Sequence, residues 1–265
     1  MKDLGRWQVV TAGVGMLLGA SLLGSCAALG GAGGARTVYG ESGTLNGSTV
    51  TTWAKLNAEG QVSALGFTLP MQAVNNAPAA GPPQISALSF PKVAQDTTFI
   101  NFLSLDYMPQ GHDPVGRYGA PHFDIHYHAR TKAQVQAIDC TDPTQSDPAK
   151  VPAGWVPPVP PGAPAKEFCV PGMGYHSLPV TEFKAPGELK DGIFDQVMIA
   201  GYYGGDFIFV EPMVTRAALE RKTSFTLPVP AAPVQATRYP TTFEANYNAA
   251  KQAYDFVLGG FQSVP

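Results

Sequence analysis

Charge is scarce in this chain. Of 265 residues only 14% are Asp, Glu, Lys or Arg, and the net charge is -3. A nucleic-acid surface needs a basic footprint, so that class of partner is disfavoured. Cysteine is rarer still, three in all, and no pair has the C-x-x-C spacing of zinc ribbons and dithiol redox motifs. His-Glu-x-x-His is missing, as is the Gly-x-Ser-x-Gly turn of serine hydrolases. The only glycine run that invites a phosphate, Gly30 to Gly34, has no strand before it. One apolar run, about Val9 to Leu23, approaches membrane length, but it is shorter than the roughly 20 residues a spanning helix needs. What the chain has in quantity is Gly, 29, and Pro, 25. That content argues against a helical bundle and for many short strands separated by turns.

The N-terminal end has the form of a bacterial lipoprotein leader. Lys2 and Arg6 precede the apolar run, and Leu23-Gly24-Ser25-Cys26 follows it. The expectation is a signal peptide over residues 1–25 and a lipidated Cys26, palmitate among the acyl chains, on a Gly/Ala-rich tether over 26–37. An ordinary secretory signal with an incidental Cys26 is the alternative. Either places the body outside the cytoplasm, and the first ties it to a membrane of the bacterial envelope. In an oxidising compartment Cys140 and Cys169 are expected to be bridged, with two buried free thiols as the alternative.

Residues 38–265 read as a single all-β domain, an antiparallel sandwich or flattened barrel with two short helices. A first hairpin is predicted from Thr49 to Leu56 and Gln61 to Leu69, and a second from Asp195 to Tyr203 and Asp206 to Glu211 around Gly204-Gly205. Pro212 is expected to stop that last strand. The run Thr97 to Met108 predicts a central apolar strand, and Thr242 to Tyr247 and Gln252 to Phe261 two more. Thr131 and Gln134 form a capping-box pattern ahead of a helix at about 132–138, and a second helix is predicted at 216–221. Residues 71–85 and the proline-rich stretch 141–168 read as loops, the latter closed at its base by the disulfide.

Four of the five histidines, His112, His122, His126 and His128, fall within 17 residues. Read as a strand, His122 to His128 places His122, Asp124, His126 and His128 on one face and Phe123, Ile125 and Tyr127 on the other. Four stacked ligand-type groups are hard to explain as packing. The His126–His128 spacing, about 7 Å at Cα, suits one metal ion, whereas His122 and His126 are about 13 Å apart and meet at one ion only if the strand bulges or twists. Either Asp124 stands behind the ligands and orients a ring, or a ring of ligands closes from other strands through His112, His176 and Glu211.

The segments GHDP, PHFDIHY, GMGYH and GYYGGDFIFVEPM occur in the order seen in a family of exported bacterial proteins of unknown function, typified by a Thermus protein, which the chain resembles over roughly residues 38 to 262. The resemblance implies an all-β fold and a homo-oligomer, and brings no established activity. By that pattern His112, His122, Asp124, His126, His176 and Glu211 match motif positions. His128 departs from it, since an aromatic residue is expected there.

The metal candidates are thus His112, His122, His126, His176 and Glu211, with Asp124 and His128 behind them and zinc the first choice of ion. Three functions compete. One is an envelope protein binding a metal or small ligand. The second is a metal-dependent enzyme of cupin-like or carbonic-anhydrase-like type, and the third an assembly or stress-response protein whose histidines form a hydrogen-bonded network without metal.

Overall fold

The computed structural model describes residues 34–82, 84–231 and 237–264. Cys26, the leader and most of the expected tether lie outside them. Two antiparallel sheets carry the fold. One has six strands in the spatial order Arg36–Leu45, Ser48–Leu56, Val62–Pro70, Ala253–Gly259, Thr242–Asn248 and Phe225–Pro228. The other has seven: Gln84–Ser89, Phe102–Met108, His122–His128, Asp206–Thr215, Gln196–Tyr203, Gly174–Ser177 and Cys169–Val170. The chain is therefore all-β and sandwich-like. Its main core lies between the sheets, where Phe67 and Phe256 stack at 5.0 Å and Tyr127 donates from its hydroxyl to the Phe256 carbonyl at 3.2 Å. Fully burying each such side chain contributes about 1.5–3 kcal/mol.

The histidine strand occupies an inner position of the seven-stranded sheet, paired with Phe102–Met108 on one side and Asp206–Thr215 on the other. Its period of two is realised. Phe123, Ile125 and Tyr127 enter the main core, while the polar residues face away from it. All seven residues are nonetheless at most 2% exposed. The second face is covered because the chain around Ile138–Phe194 returns over it and packs two small apolar clusters there. One contains Ile138, Tyr175, Tyr202 and Phe209, the other Tyr118, Phe194, Ile199 and Met213. Phe209, Glu211 and Met213 alternate along one strand, so the carboxylate is set between the two clusters.

Cys140 and Cys169 are disulfide-bonded, with their Cα atoms 5.7 Å apart. The stretch they enclose holds no long element, only single turns at Pro148–Lys150 and Ala165–Phe168. Trp155 pins it to the sheet by donating from Nε1 to the Met198 carbonyl at 3.2 Å.

Both predicted hairpins are present, and Gly204 and Gly205 have φ of +62° and +81°, as a two-residue loop of this hand requires. Both predicted helices are present too, Lys132–Gln136 with its capping box and Arg216–Glu220 capped by Thr215. Among the described residues three further short helices are present, Met71–Asn75 in a stretch that reads as loop, Lys92–Thr97, whose last residue is expected from the sequence to open the apolar strand, and Val115–Tyr118. The apolar strand accordingly begins at Phe102 rather than Thr97. Arg36–Leu45 is a strand the pattern does not announce, because an exposed edge strand carries no apolar alternation; it ends the expected tether at Ala35. Pro212 does not stop its strand, which runs on to Thr215. Pairing with the histidine strand skips Glu211 and Pro212 and resumes at Met213↔Asp124, so the missing N–H costs part of the ladder and not the strand.

Gly201 stands opposite Phe209, and a Cβ there would lie 2.1–2.3 Å from three atoms of that ring. Gly201→Ala is expected to cost about 1–3 kcal/mol through overpacking, read as a lower denaturant midpoint at unchanged slope. An unchanged midpoint would show that the Phe209 ring can move aside.

Candidate metal centre

Six side chains collect into two groups of three, each with two imidazoles and one carboxylate. In the inner group, His126 Nε2 lies 3.3 Å from Glu211 Oε1 and His176 Nε2 3.6 Å from Glu211 Oε2. In the outer group, His122 Nε2 lies 3.0 Å from Asp124 Oδ1 and His112 Nε2 3.7 Å from Asp124 Oδ2. Within each group the ligand-type atoms are all within 4.8 Å of one another. Ligands held tetrahedrally at about 2.0–2.1 Å from zinc stand about 3.3 Å apart, close to the 3.0–3.7 Å imidazole–carboxylate separations in the two groups.

Each residue is delivered by the fold. His122, Asp124 and His126 come from alternate positions of one strand. The register Phe209↔His128 and Met213↔Asp124 brings Glu211 level with His126. His176 arrives from Gly174–Ser177, paired opposite Gly201. His112 sits on the turn before helix Val115–Tyr118, where its N–H donates to the Tyr118 carbonyl at 3.1 Å. That helix is held down by Arg117, whose Nε and Nη2 donate to the Glu182 carboxylate at 2.8 and 2.9 Å, and by the Tyr118 hydroxyl, which donates to it at 3.1 Å.

The arrangement corrects three expectations. The five metal candidates do not form one ring. The strand pairs with Phe102–Met108 without a bulge, so His122 and His126 stay two full repeats apart and join different groups. Asp124 does not stand behind the ligands; both its oxygens face imidazole nitrogens. His128 joins neither group. Its ring stacks on Phe102 at 4.4 Å and parallel to His126 at 5.4 Å, so the His-x-His pair cannot converge on one ion. Burial, then the neighbouring His126 and His176, push its pKa well down, and it is a neutral packing residue.

The carboxylate that lies behind an imidazole of the groups is Asp106. It is 1% exposed, lies opposite Asp124, and places Oδ2 3.5 Å from His126 Nδ1. Ser104 donates to its other oxygen at 2.8 Å. A carboxylate behind a ligating imidazole fixes the tautomer and raises ligand basicity. The signal for it was the pair Ser104 and Asp106 at alternate positions of an otherwise apolar strand.

Three carboxylates, Asp106, Asp124 and Glu211, are thus buried together. Burial raises the Glu211 pKa, and Asp124 and Asp106 raise it further against the opposing pull of His126. Burial works against protonated His126, but Glu211 and Asp106 outweigh it and hold its pKa above the ordinary imidazole value. Burial also opposes ionisation of Asp124, yet His122 and then His112 keep its pKa low. His176 is pushed down by burial and by His126. The two groups form one electrostatic unit.

No protein-family model, no curated protein and no solved structure matches the chain. The chemistry of the face has to be read from its own atoms. Among the described residues twelve buried side-chain atoms lack a hydrogen-bond partner, and four of them, His122 Nε2, Asp124 Oδ1, His126 Nε2 and Glu211 Oε2, are ligand-type atoms of the two groups. Each such atom costs about 1–3 kcal/mol, more when charged. A hydrogen-bonded network would leave few; donors converging on a cation leave several.

Proposed function

We propose that this chain is a lipid-anchored protein of the bacterial envelope whose β domain binds a divalent cation, zinc first, through His126, His176 and Glu211. The observation that carries the reading is the convergence of buried, unpartnered nitrogen and oxygen atoms at ligand spacing. Two imidazoles and a carboxylate suit zinc and its first-row neighbours better than magnesium or calcium, which prefer all-oxygen shells. Elemental analysis after zinc dialysis is expected to find at least about one ion per chain. Less than about a tenth of an ion, with no uptake on titration, would favour the metal-free histidine network.

Three protein ligands leave a coordination position free, and the His176 side chain keeps 21% of its surface exposed. Those two features favour the enzyme reading over a sealed structural ion. The protein's own contribution to such chemistry would be Asp106 holding His126, and Phe209 walling the group with its ring 4.9 Å from His126 and 5.2 Å from His176.

Loading should release protons, since His126 and Glu211 both have raised pKa values and must give up their protons to ligate. Apparent zinc affinity is expected to rise by up to about a hundredfold per pH unit from pH 6, flattening as pH passes those raised values. Calorimetry in buffers of differing ionisation enthalpy checks this, and a pH-independent affinity contradicts it.

The anchor rests on the Leu23–Cys26 sequence. Cys26→Ser is expected to move the protein from the detergent-rich phase to the aqueous phase on temperature-induced phase separation. Unchanged partitioning would remove the lipid.

A further inference from the structure

We propose that His112, His122 and Asp124 form a second divalent-cation site, distinct from the inner one and faster to exchange, so that the domain holds two ions. The inference shares the reading of this face as a cation-binding surface but rests on different atoms. No residue is common to the two groups.

The tautomers argue for it. His122 Nδ1 lies 2.7 Å from the Ala120 carbonyl and His112 Nδ1 2.8 Å from the Asp113 carbonyl. A carbonyl only accepts, so both Nδ1 atoms carry hydrogen and, in the neutral rings, both Nε2 atoms present lone pairs. Those lone pairs face the Asp124 carboxylate, at 3.0 Å from His122 and 3.7 Å from His112. Lone pairs set against a carboxylate repel unless something positive stands between them. Burial opposes a proton on His122 and Asp124 favours it, the net effect being a raised pKa, but that proton would serve one ring only and leave the His112 lone pair 3.7 Å from the carboxylate. A cation satisfies all three groups at once. A carbonyl bonded to Nδ1 is also the usual outer support of a metal-bound imidazole.

The surroundings set the exchange rate. His122 and Asp124 are buried, whereas the His112 side chain is 41% exposed and rides on a short turn. Phe194 and Tyr118 wall the group, with ring centroids 5.4 Å from His122 and 5.8 Å from His112. An ion there is held by two buried donors and capped by one that faces solvent, so swinging His112 away opens the site. The inner ion is held by His126 and Glu211, both at most 2% exposed. Imidazole donors again select zinc or cobalt(II) over magnesium and calcium.

The test is zinc stoichiometry and chelator-induced release on the purified protein and three variants. Wild type is expected to bind about two zinc ions and release them in a fast and a slow phase. His112→Ala, an exposed change that leaves the core intact, should bind about one and lose the fast phase, and His122→Ala should match it; His126→Ala should bind about one and lose the slow phase. One ion in wild type, kept in His112→Ala and lost in His126→Ala, overturns the second site and leaves the inner one standing. One ion with the opposite pattern upholds the site proposed here and removes the inner one. Two ions indifferent to His112→Ala and His122→Ala overturn the assignment, and no binding overturns both.

Discussion

Zinc at about a thousand times its dissociation constant is expected to stabilise the folded domain by about 4 kcal/mol, because an ion bound only by the native state shifts the equilibrium by mass action. For a domain of this size that raises the thermal midpoint by roughly 8–16 °C. The effect should be large because apo folding gathers Asp106, Asp124 and Glu211 in one buried place with imidazoles that only partly compensate them. Glu211→Gln keeps the shape and removes a carboxyl group whose ionisation burial, Asp124 and Asp106 oppose. It should therefore leave the apo midpoint equal or higher and abolish most of the zinc-induced rise at the inner group. Differential scanning calorimetry with and without zinc reads both quantities. A Glu211→Gln protein that loses apo stability and keeps the full zinc response would mean that the carboxylate serves packing alone.

Removing the disulfide should produce the second large effect. Cys140 and Cys169 are 29 residues apart, and on loop-closure entropy the bridge contributes about 3–4 kcal/mol. The paired Cys140→Ala, Cys169→Ala variant is expected to melt roughly 6–16 °C lower. Function should suffer with it. Cys169–Val170 pairs with Gly174–Ser177, the strand that delivers His176, and the Tyr175 hydroxyl donates to the Asp142 carbonyl beside Cys140 at 3.0 Å. Loosening that edge leaves His126 and Glu211 in place and misplaces the third donor. Loss of such positional support typically costs 10–100-fold in metal affinity. An unchanged midpoint with unchanged zinc affinity would show that the edge is held by Trp155 and the apolar cluster without help from the bridge.

The legible part of the site was the part set by local geometry. Alternation along His122–His128 follows from the pleat alone, and so does the separation that keeps His122 and His126 from sharing an ion. Which distant residues complete each group is a matter of register and of a returning chain. Residue type and motif position marked His112, His176 and Glu211 as chemistry-bearing residues, but nothing local says that His112 joins His122 while His176 and Glu211 join His126. Asp106 was concealed by its neighbours, since a single carboxylate in Phe102–Met108 reads as an interruption of an apolar strand. Glu182 and Arg117 were concealed for another reason: a buried ion pair between residues 65 apart has no local pattern. Among the elements, hairpins with Gly-rich turns and capped helices were legible because their signals lie within a few residues. The edge strand Arg36–Leu45 was not, and Pro212 misled because a sheet can lose one donor and continue.

The central claim is that the buried nitrogens and oxygens of this face converge on cations. Zinc K-edge X-ray absorption of the loaded protein tests it most directly. A first shell of nitrogen and oxygen at about 2.0–2.1 Å, with outer scattering from about two imidazoles per zinc, is the expected spectrum. A shell of water and carboxylate oxygen without imidazole scattering would place zinc elsewhere on the protein and contradict the account.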